Sequence, residues 1–286
     1  MGQYESTCCP LCKNDSSEPT KYSEGALKIV RCQNCRLWYL SPRLTEDAML
    51  EHYMKADYFE GGDSGYDSYA AQEESLRMTF RRLLGEMSKR GMCGGSVLDI
   101  GCGYGYFLQE AEGYFRQRYG TDYSAGALAQ AKWFVDKVYQ GGIDDVPEEE
   151  QFDCVVAFHV IEHVYDPTTF VNSLYRRLKP GGTMILAAPD MGSWWRPLMG
   201  LKWPSLKYPE HVVYYDNKTL KLLMETVPLE SHQSMPYPHA FPLNLVFNKL
   251  RLPEFPEFGK RAVWMPATTV AIAAKKPLAE EVRVAA

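Results

Sequence analysis

The chain has 286 residues, 45% of them hydrophobic, with 31 Lys and Arg against 36 Asp and Glu. That length accommodates one full α/β domain and a small accessory unit. A net charge of −5 makes the chain a poor electrostatic partner for a long polyanion, so nucleic acid is not the expected partner. No apolar stretch approaches the roughly 18 residues of a membrane span. Met1 to Thr7 is polar and lacks the apolar core of a signal peptide, so no membrane association and a cytoplasmic address are expected.

From the N-terminus, the first feature is cysteine. Cys8, Cys9, Cys12, Cys32 and Cys35 all precede residue 36 in a chain with eight cysteines. Cys9-Pro10-Leu11-Cys12 and Cys32-Gln33-Asn34-Cys35 are two C-x-x-C knuckles. Tetrahedral zinc takes four thiolates, and two knuckles supply them on short turns. A segment this small has little core, so a metal would supply its folding energy. The expected set is Cys9, Cys12, Cys32 and Cys35 around one structural zinc in a module of residues 1–43, with a surface for a protein partner. Disulfides are disfavoured in the cytosol. Cys93, Cys102 and Cys154 are isolated and read as small buried residues.

Thr45-Glu46-Asp47 caps a predicted helix towards Met54. Gly61 to Gly65 reads as a mobile connection. A second helix is predicted from Ser68 to Arg90, with Leu76, Phe80, Leu83, Leu84 and Met87 on one face. Residues 44–90 therefore form a helical linker.

Val97-Leu98-Asp99-Ile100-Gly101-Cys102-Gly103-Tyr104-Gly105 is the most informative segment. A short apolar run ends in an acid, three glycines alternate, and a helix-compatible run follows. That is strand, tight turn and helix, where backbone approaches a ligand that side chains would block. The spacing is G-x-G-x-G, not the G-x-G-x-x-G of a dinucleotide pyrophosphate loop. Asp99 would repel a pyrophosphate and suits a ligand carrying an ammonium group. Asp122 follows about 20 residues on, where doubly wound folds place a ribose-binding acid. It ends a predicted strand over Phe115 to Thr121 and precedes a helix over Ser124 to Lys132. Phe152 to Phe158 suits a central parallel strand. Asp166-Pro167 starts a helix through Phe170, Val171, Leu174 and Leu178. Lys179-Pro180-Gly181-Gly182 stops it, and Thr183 to Pro189 is the next strand.

The Val97–Gly105 segment resembles motif I of the class I S-adenosylmethionine-dependent methyltransferases. The order FDCVVAFHVIEHVYDP … LYRRLKPGGTMILAAPD is similar to that family's fourth strand, loop and fifth strand. The resemblance covers roughly residues 91–275. It implies an α/β fold with a doubly wound, seven-stranded, Rossmann-like sheet. It also implies S-adenosylmethionine held by Asp99, Gly101, Cys102, Gly103, Gly105, Asp122, Tyr123, Phe158 and His159. In this family the segment before motif I often folds over the cofactor, which makes Tyr66 and Tyr69 candidate lid residues. Arg36 to Arg43 is similar to the end of an N-terminal zinc-ribbon-like module in some bacterial methyltransferases that act on small molecules or sugars. Residues 276–286 read as a flexible tail.

Methyl transfer needs an aligned nucleophile and, where that nucleophile holds a proton, a base. His159, Glu162 and His163 follow the fourth strand at its C-terminal edge, where open α/β sheets bind ligands. Glu210-His211 follows an aromatic insertion, residues 190–215, containing Trp194, Trp195, Trp203 and Tyr208. An insertion there commonly forms a substrate wall in the family. The Glu-His-x-x-Tyr-Tyr pattern resembles one in zinc-containing sugar C-methyltransferases, which are longer and carry a further C-terminal domain. Glu210, His211 and His163 are the candidate catalytic residues, with the Glu210 carboxylate beside the His211 imidazole. Asp216-Asn217 then starts a helix through Leu220, Leu223 and Met224.

The expected activity is methyl transfer from S-adenosylmethionine to a small-molecule acceptor, a sugar or secondary-metabolite intermediate. Two other readings stay open. One is a zinc-ribbon RNA methyltransferase, since zinc ribbons also precede this fold in one ribosomal RNA guanine methyltransferase family. The other is a cofactor-binding scaffold without catalysis.

Overall fold

A computed structural model describes residues 3–55, 72–243, 247 and 261–278. Tyr66, Tyr69, the Gly61–Gly65 connection and most of the tail lie outside them. At the N-terminus, β1 (Tyr4–Glu5) pairs with β5 (Arg43–Leu44). Between them β2 (Ser17–Glu24), β3 (Leu27–Cys32) and β4 (Trp38–Leu40) form an antiparallel meander. Helices Glu46–Lys55 and Glu73–Lys89 follow.

The main sheet takes β6 (Gly94–Ile100), β7 (Phe115–Asp122), β8 (Lys137–Gln140), β9 (Phe152–Phe158) and β10 (Leu178–Pro189) as a parallel set. The two-residue strand β11 (Val213–Tyr214) lies outside this sheet. The main sheet is completed by β12 (Glu230–Ser234) and β15 (Thr269–Lys275), while β13 (His239–Pro242) and β14 (Ala262–Met265) form a separate ribbon. The seven strands run β12-β15-β10-β9-β6-β7-β8, with β15 antiparallel to both neighbours. The expected doubly wound, seven-stranded sheet is present.

Side-chain alternation explains why the central strands are apolar throughout. Leu98, Ile100, Val155, Ala157, Met184 and Leu186 face one layer, with Val171, Leu174, Leu220 and Leu223 of the covering helices. Val97, Cys154, Val156, Ile185 and Ala187 face the other, against Phe80, Leu83, Leu84, Phe107 and Leu128. A parallel sheet covered on both faces needs apolar residues at both parities. The helix starts are capped as their sequences indicate. Ser124 Oγ accepts from Ala127 N, Asp166 from Thr169 N, and Asp216 with Thr219 makes a reciprocal box.

Several details differ from expectation. β10 begins at Leu178 rather than Thr183, because Lys179–Gly182 joins the sheet through a register irregularity. Within the aromatic insertion, Trp195–Met199 is a short helix. The residue-43 boundary does not separate two cores. β11, from the 190–215 insertion, pairs antiparallel with β4 and completes a four-stranded sheet, β11-β4-β3-β2. Trp203, Met191 and Tyr214 pack in one cluster with Tyr22, Ile29 and Leu40. These three residues form a seam between the module and the main sheet, whereas Trp194, Leu198 and Leu201 of the same insertion are exposed. No helix among the described residues is long and apolar enough to cross a membrane.

Leu98 is wholly buried at the centre of β6. Leu98→Ala is expected to lower stability by about 2–5 kcal/mol in urea unfolding. A loss below about 1 kcal/mol would contradict this core assignment.

Candidate active site

The glycine loop closes the C-terminal edge of β6. Gly101, Gly103 and Gly105 have φ of 71°, 54° and 76°. Two of them are also sterically closed. A Cβ on Gly101 would lie 2.6 Å from Val160 Cγ2, and one on Gly105 would lie 3.1 Å from Ala131 Cβ. The loop is tied down by Asp122, whose Oδ2 accepts from Gly103 N and Oδ1 from Ser124 N, both at 2.8 Å. Asp122 thus holds the loop whatever else it binds.

Asp99 is 3% exposed. Burial first, then the charge of Asp122, pushes its pKa well above the usual carboxylate range. No hydrogen bond reaches the Asp99 carboxylate among the described residues. A buried acid in this state gains most from a cationic ligand.

Cys102, Tyr123 and Phe158 sit in three different environments. Cys102 is buried, its N–H donating to Thr121 O and its sulfur packed under Gly120. A Cβ at Gly120 would lie 2.7 Å from its Sγ. Tyr123 is 73% exposed. Phe158 lies in an aromatic cluster with Phe80, Phe107 and Tyr237.

His159 takes a left-handed conformation, φ 58°, just past β9. Its Nδ1 lies 3.4 Å from Glu162 Oε1. Its ring centroid lies 5.7 Å from that of Tyr237 and 5.6 Å from that of His239. Tyr237 and His239 had no legible signal in the Pro-rich run Met235 to Pro242. Burial, then His159, holds His239 down to about 3, so its ring is neutral. Tyr237 bridges the two halves of the site: after burial, both Asp99 and Glu162 push its hydroxyl up.

The expected pairing of the Glu210 carboxylate with His211 is replaced by another. His211 N–H donates to Lys207 O, a turn that brings the backbone carbonyl of Glu210 to His163, whose pKa the Glu210 charge also works to raise. That carbonyl lies 3.0 Å from His163 Nδ1. The acid beside the imidazoles is Glu162, which clusters with His163 and His211. The two rings meet edge to face with centroids 4.8 Å apart, and His211 Nδ1 lies 3.0 Å from Ser205 O. Burial lowers the pKa of both histidines, most for His211, where His163 adds to it; Glu162 opposes the shift. Burial, the largest single influence, works to raise the Glu162 pKa; the His159 hydrogen bond and the charges of His159, His163 and His211 together outweigh it, and the net position is about 2.

The four predicted zinc ligands converge. Cys9, Cys12, Cys32 and Cys35 offer Sγ atoms all within 4.8 Å of one another. Cys9 and Cys35 approach to 3.4 Å, Cys12 and Cys32 to 3.5 Å. The residue after each knuckle, Lys13 and Arg36, is left-handed, with φ of 56° and 69°. The hydrogen bond shared with Cys35, then burial, raises the Cys9 thiol, and the same bond brings Cys35 down to about 5. Four thiolates this close cannot all carry charge without a cation among them. The residues therefore fit a tetrahedral thiolate site.

Residues 69–233 match the family model described as a methyltransferase domain. The chain belongs to that family. Among curated relatives of this methyltransferase, the ubiquinone biosynthesis O-methyltransferase of Bradyrhizobium diazoefficiens is 34% identical over 97 residues, 32% of this chain and 38% of the relative. That of Nitrobacter winogradskyi is 33% identical over 111 residues, 37% of this chain and 42% of the relative. The chain thus spans about two fifths of the length of these relatives. Two solved methyltransferases, described as S-adenosylmethionine-dependent, share the fold. One, from Thermotoga maritima, has a TM-score of 0.52 at 19% identity, covering 74% of this chain and 94% of its own. The other, from Archaeoglobus fulgidus, has a TM-score of 0.51 at 18% identity, covering 79% and 99%.

Asp122→Ala removes both loop-holding acceptors. Hydrogen bonds to a charged group are worth about 1.5–3 kcal/mol, so amide exchange at Gly103 and Ser124 is expected to accelerate at least tenfold in the methyltransferase without ligand. Unchanged protection at both amides would show that the loop is held by other means.

Proposed function

We propose that the protein transfers the methyl group of S-adenosylmethionine to a small-molecule acceptor, with a structural zinc in the N-terminal module. The observation that carries the reading is Asp99, a buried carboxylate with raised pKa at the open edge of β6, beside a loop whose glycines allow close backbone approach. The cofactor's amino group supplies the missing cation, and the oxygens of Asp122 retain lone pairs for ribose hydroxyls. The cofactor brings the electrophile. The protein's part is to orient the acceptor, exclude water and dispose of a proton.

The acceptor side is the wall beyond His159, Tyr237 and His239, continuing into Glu162, His163 and His211. These groups are polar, pre-oriented and largely buried, which suits a compact acceptor bearing hydroxyl groups. The excess of acidic residues and the absence of a Lys/Arg run in the sequence favour such an acceptor over RNA. The role of the Bradyrhizobium and Nitrobacter relatives, ubiquinone biosynthesis by O-methylation, favours a small hydroxyl-bearing acceptor as well. Among the residues first assigned to acceptor chemistry, His211 and His163 stand in this wall. Glu210 contributes through its backbone carbonyl.

Asp99 gives a test with opposite signs. Its folded pKa is raised, so its contribution to stability is complete below the unfolded value of 3.8 and is lost as pH rises through the folded value. Asp99→Asn is therefore expected to raise the melting temperature of the ligand-free protein at neutral pH. The same change is expected to weaken S-adenosylmethionine binding at least tenfold by calorimetry. A lower melting temperature with unchanged affinity would defeat the assignment.

His211→Asn is expected to lower acceptor turnover, followed as S-adenosylhomocysteine release, by roughly 10²–10⁴-fold, with cofactor affinity little changed. Wild-type turnover in this variant would make His211 purely structural.

A further inference from the structure

The structure holds a second convergence of ligand-type atoms, separate from the cysteines. A carboxylate oxygen of Glu162 and one ring nitrogen each of His163 and His211 lie within 4.8 Å of one another. Glu162 is 2% exposed and His211 4%. One oxygen of Glu162, Oε1, is engaged by His159. The other, Oε2, is buried without a hydrogen-bond partner among the described residues. Such an orphan in a native interior calls for a ligand.

The histidines are set in the way metal ligands are set. Each has Nδ1 at 3.0 Å from a backbone carbonyl, Glu210 O for His163 and Ser205 O for His211. A carbonyl can only accept, so Nδ1 carries the proton in both rings. Nε2 is then the nitrogen with a lone pair. Fixing the tautomer and ring orientation through the far nitrogen is the usual outer-shell arrangement around a metal. The carboxylate is oriented likewise, by His159. Each of the three groups offers one ligand-type atom within 4.8 Å of the others, a set that suits a cation.

We propose that Glu162, His163 and His211 bind a first-row divalent metal ion of the zinc class. Two imidazoles and one carboxylate suit such an ion better than magnesium or calcium, which prefer all-oxygen sites. Three protein ligands leave a coordination position open. An acceptor hydroxyl is the natural occupant, a role that rests on the acceptor-side reading above; metal binding itself does not.

The test uses the full chain expressed in minimal medium supplied with cobalt(II) as the only added transition metal. Wild-type protein is expected to carry about two cobalt equivalents. One shows the intense sulfur-to-cobalt charge-transfer absorption of the cysteine cluster. The other shows only the weak ligand-field bands of a nitrogen and oxygen site. Glu162→Gln, which preserves shape, and His163→Gln are each expected to lose the second equivalent alone, while sulfur-to-cobalt absorption persists as the sign of a folded module. One equivalent with sulfur bands only, in wild-type protein, overturns the proposal. So does a second equivalent that survives both substitutions. S-adenosylmethionine calorimetry on the same wild-type sample separates the two readings. Intact cofactor binding with a single cobalt defeats the second metal site and leaves the methyltransferase reading standing. Two cobalts without cofactor binding does the reverse.

Discussion

The pairing of β4 with β11 is the contact on which the arrangement depends. Val213 faces Tyr39 and Tyr214 faces Trp38 in register. Leu40 N donates to Val212 O, and Val212 N donates to Glu162 O. A continuous line of backbone hydrogen bonds thus runs from the module to the loop after β9. β4 starts three residues past Cys35, and β3 ends on Cys32, so the cysteine cluster sets where β4 lies. The module is therefore built into the acceptor side of the domain. Leu11, Leu37, Tyr39 and Leu44 of the module share one apolar cluster with Leu98, Val155 and Leu220 of the main sheet and its helices.

Further ties run the same way. Tyr165 Oη donates to Leu44 O at 2.8 Å, and Arg43 stacks on the Tyr165 ring at 4.1 Å. Tyr215 is wholly buried, and after burial both Glu162 and Cys9 push its phenol up. A two-residue strand such as β11 has too few bonds to persist alone. It is stable here because Val213 and Tyr214 are buried and because β4 is anchored next to the cysteines. The glycine loop has no such dependence. It is held locally by Asp122, with Ala131 close behind Gly105. The two halves of the site thus have different mechanical supports and meet at Tyr237.

Local chemistry was legible in the sequence; long-range pairing was not. The Val97–Gly105 turn, the helix caps at Ser124, Asp166 and Asp216, and the two knuckles each need only neighbouring residues, so their signals are local. Val213 and Tyr214 carry no mark of a partner strand lying some 170 residues earlier. Glu210 and His211 are neighbours in sequence, yet the acid that clusters with the His163 and His211 rings is Glu162, some 50 residues earlier. Tyr237 and His239 sit in a run broken by prolines, with no periodicity to show that one faces Asp99 and the other His159. A buried acid can be recognised from its place at a strand end, as with Asp99, but its companion across the fold cannot.

Hydrogen–deuterium exchange on the full chain, with and without a zinc chelator under reducing conditions, tests the central claim most directly. If the cysteine cluster supports the acceptor side through β4 and β11, removing its metal accelerates exchange in residues 32–41 and also in residues 160–164 and 211–215. Protection of residues 97–105 and 119–124 is retained. Acceleration confined to residues 8–36, with 211–215 still protected, would contradict the account.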